Sequence, residues 1–298
     1  CVAPGHDVEL RSITVKNLSG RSRWIDLTGC LELVLQDPGA DAAHPAFSKL
    51  FVQTVFDPVR QQLVATRRPR GASDQHPSVA HALVGEGAFS CETDRGRFLG
   101  RGRSWHRPAA LASIRALSGT VGSVLDPVFA TRRAAVLAPG ERRRWTFVLA
   151  AGPDSEQALV TLARFGSDEA IENALSEASV HARAELERLG LGLEDAEAFD
   201  RLSGVLLYGD PRLRTEDEAL RHAGDDARVR ATLGIPASAP LVVVRGDEPG
   251  AGVEWERMRR AMGWWRAHGI AAELVGVGGA LGAPADEPGV HVVCALDE

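Results

Sequence analysis

The chain has 298 residues, 44% of them apolar and 25% charged, with a formal net charge of −6. That length and composition suffice for one large folded domain or two smaller ones, and the negative balance argues against a general nucleic-acid partner. No run approaches the roughly 18 apolar residues of a membrane span, and no basic-then-apolar leader pattern opens the chain.

Lys16 and Lys49 are the only lysines, so nearly all positive charge is arginine. Runs such as Arg67-Arg68-Pro69-Arg70 and Arg142-Arg143-Arg144 read as solvated faces. Cys1, Cys30, Cys91 and Cys294 show no CxxC pairing and no histidine at ligand spacing; this predicts neither a metal site nor a disulfide framework, and fits a reducing, cytoplasmic setting.

Val8 to Val15 alternates with a period of two, as a half-buried strand does, and Asn17-Leu18-Ser19-Gly20 supplies a turn. Trp24 to Leu35 resumes the strand pattern, so the two predict a hairpin. Further strands are expected at Leu50–Phe56, Leu63–Thr66, Phe89–Thr93 and Arg144–Ala150, with Asp126-Pro127 starting a turn. Short strands punctuated by Gly and Pro predict an antiparallel β-sandwich over residues 1–152.

After Ala151-Gly152-Pro153 the period changes. Asp154 or Ser155 can cap a helix through Ala158, Leu159 and Leu162, and Ser167-Asp168 a second through Ile171, Leu175 and Leu186. A third is expected over Glu194–Leu207, and the charged stretch from Leu213 to Arg230 reads as surface helix or loop. Residues 153–232 therefore read as a helical linker. In 233–298, Leu241–Val244, a helix over Val253–His268, Leu274–Val277 and Val290–Val293 look locally like a βαβ start. Trp255, Met258, Met262 and Trp265 share one helix face, which reads as packing. Gly276, Gly278 and Gly279 precede no GK[ST] or GxGxxG helix, so no nucleotide site and no cofactor is expected.

Three motifs stand in order: Ala40-Asp41-Ala42-Ala43-His44-Pro45-Ala46-Phe47-Ser48-Lys49-Leu50-Phe51-Val52, Glu92-Thr93-Asp94-Arg95-Gly96-Arg97-Phe98-Leu99-Gly100-Arg101-Gly102-Arg103, and Gly119-Thr120-Val121-Gly122-Ser123-Val124-Leu125-Asp126-Pro127-Val128. Together they resemble glycoside hydrolase family 94, formerly glycosyltransferase family 36, the family of cyclic β-1,2-glucan synthases and related β-glucan phosphorylases. The resemblance continues to Tyr208-Gly209-Asp210-Pro211 and weakens afterwards.

The resemblance implies a mainly β fold, a supersandwich joined by a helical linker to an (α/α) barrel that carries inverting phosphorolysis of β-glucosidic bonds. Residues 233–298 would then be a truncated, diverged start of that barrel, and their βαβ look misleading. Where relatives carry Gly-Ile-Ser-Gly-Asp-Leu-Pro, this chain has Gly234-Ile235-Pro236-Ala237-Ser238-Ala239-Pro240 and lacks the acid. The family's general acid lies in a barrel motif resembling Asp-Trp-Asn-Asp-Gly, absent here, so no catalytic residue is assigned. The chain begins Cys1-Val2-Ala3 and reads as an accessory piece of a longer enzyme, one attached to the inner membrane through other parts. The implied partners are a β-glucan oligosaccharide or polysaccharide and the missing catalytic barrel. Two alternatives stay open: an independent carbohydrate-binding module and a decayed remnant.

Candidate site residues are Asp94, Arg95, Arg97, Arg101 and Arg103, which could hold sugar hydroxyls or brace the sandwich against the barrel as a buried arginine–carboxylate network. The bracing role is the preferred reading, with Asp94 as a partner and not an acid. Trp105 could stack on a sugar ring or simply pack. His44 beside Asp41 suggests acid–base chemistry, against the commoner role of a hydrogen-bonded loop histidine.

Overall fold

The computed structural model describes residues 1–71, 74–210, 226–279, 281 and 287–293. The chain divides into two compact units, Cys1–His181 and Ala182–Glu298.

The first unit is mainly antiparallel sheet. Eight strands, β1 (Val8–Lys16), β2 (Arg23–Glu32), β3 (Val52–Asp57), β4 (Gln62–Arg67), β5 (Ser78–Val84), β6 (Ala88–Asp94), β7 (Pro127–Leu137) and β8 (Arg142–Gly152), form two sheets. Their orders are β1-β8-β5-β4-β3 and β2-β7-β6. The period of two sorts side chains between layers. Along β8, Trp145 packs between the sheets with Leu83 and Leu137. Val148 and Ala150 point the other way, against Ala158 and Leu162 of α4 (Ser155–Arg164). The five-stranded sheet is thus covered on both faces.

The hairpin expected of β1 and β2 does not form. β1 pairs with β8 (Val8↔Ala150) and β2 with β7 (Arg23↔Leu137), in different sheets. The cause is Asn17, whose buried amide Nδ2 donates to the carbonyls of Arg21, Leu137 and Ala138. It ties the 17–20 turn to the turn joining β7 and β8, so both connections cross from one sheet to the other side by side. Asp126-Pro127 is likewise no turn start: Pro127 is the first residue of β7, a strand position where a missing N–H is tolerated.

Short helices α1 (Pro38–Ala43) and α2 (Pro45–Lys49) precede β3, and α3 (Arg95–Leu99) follows β6. The helices expected after Pro153 are present. Asp154 Oδ1 caps α4 by accepting the Gln157 N–H at 2.8 Å, and α5 (Asp168–Leu189) and α6 (Leu193–Tyr208) follow. The stretch 213–225 lies outside the described residues, while Arg228 and Arg230 fall in α7 (Asp226–Leu233).

The barrel start expected of the second unit is not confirmed. β9 (Leu241–Arg245), α8 (Ala251–Ala267), β10 (Glu273–Val277) and β11 (Val290–Val293) form a three-stranded parallel sheet, β11-β10-β9, with α8 as a crossover. The local βαβ pattern is therefore what folds, because short continuous apolar runs suit parallel strands covered by helix. Trp255, Met258, Met262 and Trp265 are core, with Trp265 Nε1 donating to the Phe199 carbonyl at 3.0 Å. A Cβ at Gly246 would stand 2.0 Å from the Gly278 oxygen. A Cβ at Gly279 would likewise stand 2.2 Å from the Gly246 oxygen, so these two answer close backbone approach, whereas one at Gly276 would meet the Leu281 and Trp255 side chains.

Candidate functional site

The second motif begins at the end of β6. Asp94 is the N-cap of α3: its Oδ1 accepts the N–H of Gly96 at 2.8 Å and of Arg97 at 3.3 Å. Its carboxylate is committed to the helix start. After Leu99 the chain turns at Gly100, whose φ is +82° and where a Cβ would sit 2.7 Å from the Ala109 Cβ, so both conformation and space require glycine.

Arg95 joins three parts of the chain. Its Nη1 donates to Asp126 Oδ2 at 3.2 Å, and its Nε lies 2.8 Å from Glu32 Oε1, an ion pair too poorly directed to count as a hydrogen bond. Asp126 also accepts from Lys49 Nζ at 3.0 Å. The guanidinium of Arg95 lies 5.2 Å from the centre of the Trp105 ring, which packs at 6.0 Å from Phe98. The indole, 40% exposed, is thus flanked by its own chain.

Among the described residues only Arg95 of this cluster enters a part-buried arginine–carboxylate network, with Glu32 and Asp126. Arg97 is 61% exposed and its Nε is 4.0 Å from Asp94 Oδ2; Arg101 and Arg103 are exposed. Arg97 lies on α3 and Arg101 and Arg103 in the turn after it, all open to solvent, which screens them. His44 is exposed at the junction of α1 and α2, where its carbonyl accepts the Ser48 N–H. It is not among the groups engaged with Arg95 or Asp126.

Two residues that sequence reasoning missed hold the loop between α3 and β7 in place. Glu92, 1% exposed, accepts at Oε1 from the N–H groups of Thr93 (2.9 Å) and Asp94 (2.7 Å), and at Oε2 from the Ser118 hydroxyl and, at 3.5 Å, the Thr120 N–H. Arg132, 2% exposed, donates to the carbonyls of Ala110 and Arg115 at 2.7 Å and Ser113 at 3.3 Å, and to the Thr28 hydroxyl at 2.8 Å. The available signals were a glutamate inside the second motif and an arginine in the middle of an apolar run, Val128–Leu137. The loop carries only one short 3-10 turn, Ala109–Ala112, and loops of this length with so little regular structure are uncommon unless functional.

The surface that results is strongly biased. From Arg95 to Leu125 there are six arginines and no Asp or Glu, and Leu111, Ile114, Val121 and Leu125 are exposed beside them. No group of three or more His, Cys, Asp or Glu that could hold a metal occurs among the described residues. Cys1, Cys30 and Cys91 are free thiols; Cys294 lies outside the described residues.

Residues 1–168 match the family model described as the glycosyl hydrolase 94 supersandwich domain. The chain belongs to this family. It is also 32% identical over 280 residues to the cyclic beta-(1,2)-glucan synthase NdvB of Rhizobium meliloti (strain 1021), an alignment covering 92% of this chain and 10% of that protein. The chain therefore spans about one tenth of that relative's length. The supersandwich match contains all three sequence motifs, the buried anchors Glu92 and Arg132, and the arginine-rich loop between them.

Proposed function

We propose that this chain is the supersandwich and linker part of a β-glucan-processing enzyme, either a cyclic β-1,2-glucan synthase or an inverting β-glucan phosphorylase. Its role is accessory and structural, without catalysis of its own. In this reading residues 1–152 are the sandwich and 153–232 the helical linker, with 233–298 leading toward a catalytic (α/α) barrel. The setting is cytoplasmic; no helix among the described residues is long and apolar enough to cross a membrane.

The observation that carries the reading is the Arg95–Leu125 face. Six arginines and exposed apolar side chains, with no Asp or Glu in the stretch itself and carboxylates from outside it paired, among the described residues, only with Arg95 and Arg97, on a segment fixed by buried Glu92 and Arg132, suit a rigid surface that docks onto an acidic one. The Trp105 ring already packs between Arg95 and Phe98, which favours docking over sugar stacking. Asp94 is spent on a helix cap, which supports assigning no catalytic acid here.

The test has two arms. The purified chain is incubated with β-1,2-glucooligosaccharides and phosphate while glucose 1-phosphate and chain length are followed; no turnover is expected, and product scaling with the chain would sink the accessory role. The chain is then co-expressed with a family 94 barrel domain. Copurification is expected, and Arg101→Glu with Arg103→Glu should abolish it; copurification unchanged by the double reversal would refute the docking face.

A further inference from the structure

A cavity of about 190 Å³ opens beside α3, lined among others by Glu92, Arg97, Phe98, Ser113, Arg115 and Ser118. Glu92 presents a buried carboxylate to it, while Arg97 and Arg115 are exposed. Among the described residues no ion pair joins Glu92 to either guanidinium; Arg97 pairs with Asp94 instead. The walls are preformed. Arg132 fixes the backbone at Ala110, Ser113 and Arg115, and Glu92 fixes Ser118 and Thr120.

A carboxylate, two guanidinium groups and two serine hydroxyls around one space select against simple ions. The carboxylate repels an anion and the arginines repel a cation. A neutral molecule with several hydroxyls fits, because each hydroxyl both donates and accepts and so can serve either kind of group. Phe98 and Leu117 supply apolar wall for the C–H faces of such a molecule. The volume lies below the roughly 300 Å³ at which pockets for drug-sized ligands begin, which suits one ring and not a chain.

We propose that this cavity is a pocket for a single hexose ring, such as one glucosyl unit of a longer glucan; the choice of sugar rests on the β-glucan reading above. Glu92, whose two oxygens already accept four hydrogen bonds from the chain, supplies fixed negative charge at the wall, and Arg97, Arg115 and Ser113 bind from the rim.

Methyl β-glucoside is titrated into the intact chain by calorimetry, with saturation-transfer NMR to map contact. Millimolar binding is expected. Arg115→Ala should weaken it about tenfold through loss of charged hydrogen bonds. That variant keeps the Arg115 carbonyl on which Arg132 rests, so it is a safer probe than changing Glu92, whose oxygens hold backbone N–H groups. Arg21→Ala, outside the cavity lining, should leave binding unchanged. No binding to the wild-type chain, or binding indifferent to Arg115→Ala, overturns the pocket. Because the docking reading is judged by copurification, the two can fail separately.

Discussion

Arg132 reaches from the middle of β7 to the carbonyl oxygen of Arg115, 2.7 Å away, and binds a loop rich in arginine by its backbone. Its guanidinium is compensated by Asp26, 3.8 Å from its Nε, and by the carbonyls it binds. The contact explains how a segment with only one short 3-10 turn, Ala109–Ala112, keeps a defined surface.

Replacing Arg132 by leucine should therefore release the loop while leaving the sheet. Three carbonyls lose a charged donor, though some can turn to water, so the expected loss is roughly 3 kcal/mol. Hydrogen exchange should accelerate over residues 109–118 more than in β7 or β8. Uniform acceleration across the unit would mean that Arg132 supports the core and not the loop.

His81 gives the fold a pH limit. It is fully buried, stacked between Phe129 (5.6 Å) and Phe147 (6.2 Å), with Nδ1 2.9 Å from the Val148 carbonyl and Nε2 3.1 Å from the Thr131 hydroxyl. The carbonyl can only accept, so Nδ1 carries the proton and Nε2 accepts from Thr131. Burial pushes the pKa down to about 4, against a weaker opposing effect of the Val148 carbonyl. The unfolded histidine takes its proton near pH 6.5, so the stabilisation is complete above that value. It is lost as pH falls toward 4 and is constant below. The span is worth roughly 3 kcal/mol. Denaturant melts from pH 7.5 to 3.5 should show this slope, and His81→Phe should flatten it; an unchanged slope would assign it to other groups.

The strands β3 and β4 were legible because each alternates between a buried and a wetter face, and β1, β2, β6 and β8 because apolar and β-branched residues stand between turn residues. β5 was not, since Ser78–Val84 lies between α4 and the opposite sheet and is buried nearly throughout, which erases the period. β7 was hidden by Arg132 and Arg133 and by the proline that starts it. Pairing was less legible still: Ser12 meets Thr146 and Trp24 meets Val136, partners more than a hundred residues apart that no local turn announces. The arginine-rich motif was plain in the sequence, whereas its anchors required knowing which charged side chains face inward.

Arg97 and Arg101 are exposed, so any bracing by them would act against a docked partner and not within this chain. Single changes to alanine should alter the stability of the isolated chain by no more than about 0.5 kcal/mol, as for surface sites without buried partners. Thermal melts of both variants decide it, and a drop of several degrees would restore a structural role for them.

Asp126 is an acidic group at the edge of the basic surface, shared between Lys49 Nζ and Arg95 Nη1. Its side chain is 32% exposed, as is that of Arg95, so the pairs gain only modestly from Coulomb attraction and are open to screening. Asn at this position would keep the shape and an acceptor oxygen while removing the charge. We expect Asp126→Asn to cost about 1 kcal/mol at low salt, for two coupled pairs, and markedly less in 1 M salt, where the Debye length shrinks to about 3 Å. Denaturant titrations at about 20 mM and 1 M NaCl measure the difference. The same variant leaves Lys49 without this partner and Arg95 with Glu32 alone, and makes the face more basic, so copurification with an acidic barrel surface should strengthen while the chain itself weakens. A cost independent of salt would show that Asp126 acts by geometry, through its place before Pro127, and would remove charge from the account of this edge.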